Sequence, residues 1–251
     1  MKRPIIAGNW KMNLLWPEAQ ELVSELIQKL SSPVNAEIIL FPAFTVLKSV
    51  HGLIGDTEIR IGGQNMCSQV KGAYTGEISA DMLLDSGCSY VLLGHSERRI
   101  LFGETDSQIN EKLHLALNKN LLTVLCVGET LEQRETGQTE ETLKDQISIC
   151  FHGIEGDMLS RIVIAYEPVW AIGTGENATP EQACESHAFI RSTLKELYGS
   201  EESDQMSIIY GGSVKPQNSS QLLAQEGVDG VLVGGSSLIA ESFYAIINSI
   251  N

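Results

Sequence analysis

Arg161-Ile-Val-Ile-Ala-Tyr-Glu-Pro-Val-Trp-Ala-Ile-Gly-Thr-Gly175 begins as an apolar, β-branched run and ends on small residues. Residues 162–166 read as a short strand buried on both faces, the pattern of a parallel sheet. Glu167 stands where that strand ends, and Pro168 stops the ladder because it has no N–H to donate. A carboxylate on a rigid strand end, followed by an apolar segment and small hinge residues at 173–175, suits a base beneath a water-excluding lid. Thr179-Pro180 then provides an N-cap and a first helical residue for a helix over 180–198. The stretch is one strand–loop–helix unit with a chemically useful residue at its turn.

The same unit repeats on both sides. Toward the N-terminus, strands are expected over 5–10, 37–41, 59–64, 90–93 and 121–127. Helices are expected there over 17–30, 44–54, 80–86, 106–118 and 139–151. The segment between 93 and 106 reads as a polar, charged connection. Toward the C-terminus, strands over 207–210 and 228–233 are followed by helices over 216–225 and 237–248. No linker, charge run or low-complexity segment interrupts the alternation. Eight such units in 251 residues predict an α/β protein, a single (β/α)8 barrel domain over 1–251 with eight parallel strands. A doubly wound open sheet would carry Gly-x-Gly-x-x-Gly after its first strand, and Gly8-Asn-Trp-Lys-Met-Asn13 is not that.

Composition narrows the function. Hydrophobic residues make up 43% of the chain, enough for a sizeable core, with no apolar run long enough to span a membrane. The N-terminus lacks a signal-type apolar region. Five scattered cysteines, odd in number and without zinc-site spacing, suggest reduced thiols and a cytoplasmic location. Lys and Arg number 17 against 32 Asp and Glu, a formal charge of −15 that repels nucleic acid and anionic lipid. An anionic substrate would need local positive potential at its site.

In such a barrel, functional residues gather at the C-terminal ends of the strands. Those positions hold Asn9 and Lys11 after the first strand, Gln64 and Asn65 after the third, His95-Ser-Glu97 after the fourth and Glu167 after the sixth. The seventh and eighth strands end in Gly211-Gly-Ser213 and Gly234-Gly-Ser236. These turns let backbone N–H groups approach an anion, and a helix expected after each adds positive dipole. Phosphate-binding barrels hold phosphate at those last two loops. With phosphate there, Glu167 can take a proton from a carbon beside a carbonyl. His95, with Ser96 as the expected helix N-cap, can polarise that carbonyl as neutral imidazole, and Lys11 can hold the developing enediolate oxygen. This chemistry asks for no metal and no cofactor.

These residues make the chain closely similar to the triosephosphate isomerase family. The matching segments are Gly8-Asn-Trp-Lys-Met-Asn13, Gly72-Ala-Tyr-Thr-Gly-Glu77, Gly94-His-Ser-Glu-Arg-Arg99, Cys126-Val-Gly-Glu129, 165–175, 210–214 and 230–238. The resemblance implies interconversion of dihydroxyacetone phosphate and D-glyceraldehyde 3-phosphate, a step of glycolysis and gluconeogenesis. It implies Glu167 as base, His95 as electrophile and proton shuttle, Lys11 and Asn9 on the substrate oxygens, and Glu97 supporting Lys11. It implies backbone donors to phosphate from Gly173, Ser213, Gly234 and Gly235, with Cys126 packing behind the site rather than attacking. It also implies a homodimer through loop 70–79. The lid over 169–175 would shield the enediolate from losing phosphate. Leu14-Leu15-Trp16 departs from the small residue usual after Asn13, in the region that receives the partner's Tyr74 and Thr75, and the chain ends soon after its last helix. Two other readings share the fold: another phosphosugar barrel enzyme, such as an aldolase or epimerase, and a non-catalytic descendant. A Schiff-base aldolase would want a lysine inside a late strand, and none stands there.

Overall fold

Eight parallel strands close on themselves in chain order in the computed structural model, which describes residues 2–172 and 178–250. They are β1 Ile5–Asn9, β2 Glu37–Phe41, β3 Arg60–Gly63, β4 Tyr90–Leu93, β5 Leu122–Val127, β6 Ile162–Tyr166, β7 Ser207–Tyr210 and β8 Gly230–Val233. Each strand pairs with the next, and β8 pairs with β1 to seal the ring. The expected (β/α)8 barrel is the fold.

Strand alternation builds two cores. Ile5 and Ala7, Ile39 and Phe41, Tyr90 and Leu92, Val124 and Cys126, and Val163 and Ala165 pack together inside the barrel. Their neighbours Ile6, Leu40, Val91, Leu125 and Ile164 belong to the larger core beneath the helices. This period of two has a functional consequence. Continued past the strand ends, it brings Asn9 and Lys11 up the inward column of β1, and Glu167 up that of β6.

The helices are α1 Trp16–Lys29, α2 Leu47–Ile54, α3 Ala80–Asp85, α4 Ser96–Phe102, α5 Asp106–Asn118, α6 Leu131–Glu135, α7 Thr139–Cys150, α8 Pro180–Tyr198, α9 Ser200–Gln205, α10 Ser219–Leu223 and α11 Ala240–Ile247. The expected α8 is matched at both ends. Thr179 Oγ1 accepts from Gln182 N at 3.2 Å while Gln182 Oε1 accepts from Thr179 N at 2.9 Å, a reciprocal cap. Two short helices, α6 and α9, were not anticipated, and of α4 only a start near Ser96 was expected. Apolar spacing is silent for α6, which buries nothing, and for the acidic α9. In α4 it is misleading, because Ile100, Leu101 and Phe102 face outward. No helix among the described residues is long and apolar enough to cross a membrane.

Candidate active site at the C-terminal mouth

A cavity of about 350 Å³ opens at the C-terminal ends of the strands, lined by Asn9, Lys11, His95, Glu167, Ile172, Leu232, residues 211–215 and residues 234–236. The inward columns of β1 and β6 thus meet the β4 loop and both glycine turns. Of the residues singled out in the sequence, Glu97 joins through Lys11 and Cys126 through Glu167, while Gly173 lies outside the described residues.

Glu167 is 1% exposed, so its carboxylate depends on protein donors. Ser96 N–H, at the start of α4, donates to Oε2 at 2.8 Å, placing the anion at a helix N-terminus. Oε1 lies 3.1 Å from His95 Nε2, but among the described residues no donor is aligned on it. The Glu167 backbone is fixed by its N–H donating to Val127 O at 2.8 Å. Close approach requires glycine on both sides. A Cβ at Gly128 would fall 1.7 Å from Glu167 O, and one at Gly211 would fall 2.9 Å from Glu167 Cγ. Beneath the carboxylate, Cys126 is fully buried. Burial first, then the adjacent Glu167 charge and their hydrogen bond, push its thiol well above the usual range. Burial and a raised pKa suit packing rather than attack.

His95 differs in detail from expectation. It is itself the N-cap of α4, and Ser96 is the first helical residue. His95 Nδ1 accepts from Glu97 N–H at 3.2 Å. A neutral ring that accepts at Nδ1 carries its proton on Nε2, the nitrogen nearer Glu167. The cap therefore selects the tautomer that can donate into the cavity.

Lys11 holds a left-handed backbone, φ 53°, which costs a non-glycine residue roughly 1–2 kcal/mol. Side chains hold both ends of that conformation. Lys11 N–H donates to Asn9 Oδ1 at 3.0 Å, and Lys11 O accepts from Gln64 Nε2 at 2.8 Å. The ammonium reaches Glu97 Oε1 at 2.6 Å. Its side chain also approaches the second glycine turn, since a Cβ at Gly234 would lie 3.8 Å from Lys11 Cε.

The two glycine turns are braced against each other by Ser236 Oγ donating to Val214 O at 2.9 Å. The helix expected directly after the first turn is absent there; α10 begins only at Ser219. Asn218 takes its place, accepting from Lys215 N–H at 2.7 Å and donating to Ser213 O at 3.0 Å. After the second turn comes a short 3-10 turn, Gly235–Leu238, closed by Ser237 on Gly234 O. Among the described residues, the N–H groups of Ser213 and Gly234 donate to no protein acceptor. Lys215, not singled out from the sequence, lines the same cavity and adds the positive charge an anion needs. Among the described residues, no group of three or more His, Cys, Asp or Glu is placed to hold a metal ion.

Glu129, also passed over in the sequence, is fully buried behind the mouth. It accepts from Tyr166 Oη at 3.1 Å, Trp170 Nε1 at 2.9 Å and Arg134 Nη1 at 3.2 Å. Val169 N–H donates to Glu129 O at 3.1 Å, so the first turn after Glu167 is tied to the end of β5. Its signal was Cys126-Val-Gly-Glu129, a carboxylate two residues past the end of β5.

A buried carboxylate beside an imidazole, a paired ammonium and a braced double turn thus meet at one mouth of a (β/α)8 barrel. The profile of the triosephosphate isomerase family matches residues 4–250. The chain is 50% identical over 247 residues to the triosephosphate isomerase of Geotalea uraniireducens (strain Rf4), covering 98% of each chain. It is 49% identical over 248 residues to that of Geobacter metallireducens (strain ATCC 53774 / DSM 7210 / GS-15), covering 99% of each. It is 50% identical over 248 residues to that of Caldanaerobacter subterraneus subsp. tengcongensis (strain DSM 15242 / JCM 11007 / NBRC 100824 / MB4), covering 99% of this chain and 100% of the relative. The chain belongs to the triosephosphate isomerase family.

Proposed function

We propose that this mouth interconverts dihydroxyacetone phosphate and D-glyceraldehyde 3-phosphate through an enediolate, with Glu167, His95 and Lys11 as its catalytic residues. The observation that carries the assignment of roles is the 3.1 Å approach of Glu167 Oε1 to His95 Nε2 inside the cavity that Lys11 also lines. The substrate's phosphate sits on the N–H groups of Ser213, Gly234 and Gly235, near Lys215. That fixes the carbon chain toward β1, β4 and β6. Glu167 removes a proton from the carbon beside the carbonyl, and the electron pair moves onto the carbonyl oxygen. His95 Nε2–H hydrogen-bonds that oxygen and passes protons between the two oxygens. Lys11 offsets the negative charge, and Asn9 holds the oxygen beside it. Protonated Glu167 then returns its proton to the neighbouring carbon, so atoms and charge balance without an external reactant.

Glu167→Gln tests the base directly. The amide oxygen can still accept from Ser96 N–H, so the side chain keeps its place but loses its basicity. Turnover is expected to fall about a thousandfold while inorganic phosphate binds as before. Near-normal turnover would remove Glu167 from the mechanism.

The reading extends to assembly and location. Loop 70–79 carries exposed Val70 and Tyr74, and apolar side chains stand exposed on neighbouring loops. Together they support a homodimer. Five free cysteines support a cytoplasmic, reducing setting.

A further inference from the structure

We infer that Gln64 is a positioning residue for Lys11, acting through the backbone rather than by touching substrate. This rests on the catalytic role of Lys11 proposed above. Gln64 follows the last residue of β3, two strands from Lys11 around the barrel. Its carboxamide nitrogen has two protons, and both are used on main-chain carbonyls: Lys11 O at 2.8 Å and Phe41 O at 2.9 Å. Phe41 ends β2, so one amide group ties the left-handed loop after β1 to the rigid edge of β2. The loop is held at other points too, by Asn9 Oδ1 on Lys11 N–H and by Asn13 Nδ2 on Trp10 O at 2.6 Å.

The need for such a clamp follows from the dihedral angle. At φ 53° the Lys11 backbone occupies a conformation that a lysine leaves unless its surroundings impose it. Its N–H is held by Asn9, the last residue of the strand from which the loop leaves. Gln64 is the contact that fixes its carbonyl to a separate, rigid element. Without it, relaxation toward negative φ would swing the side chain and draw the ammonium away from Glu97 and the cavity. Nothing else in the chemistry uses Gln64, so its selection as a two-proton donor is explained by this geometry. A carboxylate of the same size would repel both carbonyls.

The test compares Gln64→Glu, Gln64→Met and Lys11→Met in the full chain. For each, kcat, KM, melting temperature and the Kd for inorganic phosphate are measured. Both Gln64 variants are expected to lose about a hundredfold in kcat/KM, the scale of a misplacement near 1 Å. Their phosphate Kd should stay within about twofold. A crystal structure of Gln64→Met should show Lys11 out of the left-handed region. If Lys11→Met is inactive but both Gln64 variants are normal, the inference fails and the proposed mechanism stands. If Lys11→Met is itself active, the Lys11 assignment fails and this inference with it. If the Gln64 variants lose phosphate affinity and stability in parallel with activity, or neither folds, Gln64 is merely structural and the positioning role is overturned.

Discussion

Lys215 illustrates how one side chain can answer a problem set by the whole composition. The chain carries a formal charge of −15, yet its proposed ligand is a dianionic phosphate ester. Backbone N–H groups at Ser213 and Gly234 give partial charges and direction. Lys11 gives a full charge, but it is already paired with Glu97 at 2.6 Å. Lys215 is exposed at the rim and lines the cavity, where its charge acts on the approaching anion more than on the reacting carbons. Lys215→Met is therefore expected to raise KM severalfold at low ionic strength and to leave kcat unchanged. At high salt the difference should shrink, because an exposed charge is screened within a few ångströms there. A salt-independent KM, or a kcat that falls as far as kcat/KM, would place Lys215 in the chemistry instead. His95 makes the complementary point. Its tautomer depends on a backbone N–H two residues on, a relation that residue identity alone does not disclose.

Helix α8 couples the barrel wall to acid stability through His187. This side chain is 1% exposed and lies edge-on to Tyr166, with ring centroids 5.9 Å apart. Its Nδ1 donates to Gly227 O at 2.9 Å, leaving Nε2 buried with no partner among the described residues. Burial lowers its pKa from 6.5 to about 4. Below pH 6.5 the unfolded chain takes up this proton and the folded chain does not. The stability it contributes is complete above pH 6.5 and is lost as pH falls toward 4, by about 3 kcal/mol in all. Urea unfolding at pH 7 and 4.5 should show a smaller acid loss in His187→Asn than in the parent; equal losses would exclude His187 as the cause. The strands and α8 were legible because burial imposes its own period and Thr179-Pro180 marks a start. Of the short α4 only the start near Ser96 was legible, because its apolar residues point away from the core. The two glycine turns were legible in the sequence, but their brace was not. Asn218 closes its own loop locally, while Ser236 reaches Val214 across a gap in sequence that only the closed barrel brings together. Gln64 was noticed only as a strand-end residue, since its partners lie on β2 and the β1 loop.

Around the whole barrel, the mouth is divided between two flanks. The loops after β7 and β8 supply the glycine turns proposed to hold phosphate. The loops after β1 to β4 carry exposed apolar side chains: Met12 at 96%, with Leu15, Phe44, Tyr74, Met82, Ile100, Leu101 and Phe102. Because the strands pair in chain order, these loops form one continuous flank. Exposed apolar side chains on successive loops of an acidic protein fit a partner, and the proposed second copy supplies the same chemistry. The flank also adjoins the proposed catalytic groups. Met12 adjoins the strained Lys11, and α4 begins at the His95–Ser96 corner and ends in Ile100–Phe102. Docking against this flank would steady both. Charge placed at its protruding loop should therefore separate the subunits and cost activity without unfolding the barrel, whose cores lie elsewhere. Tyr74→Asp and Thr75→Asp are expected to sediment as monomers, retain the parent's far-ultraviolet circular dichroism and lose at least about tenfold in kcat/KM. A parent chain that sediments as a fully active monomer would end the proposal. A monomeric variant with undiminished kcat/KM would keep the dimer but show that each mouth is sufficient alone.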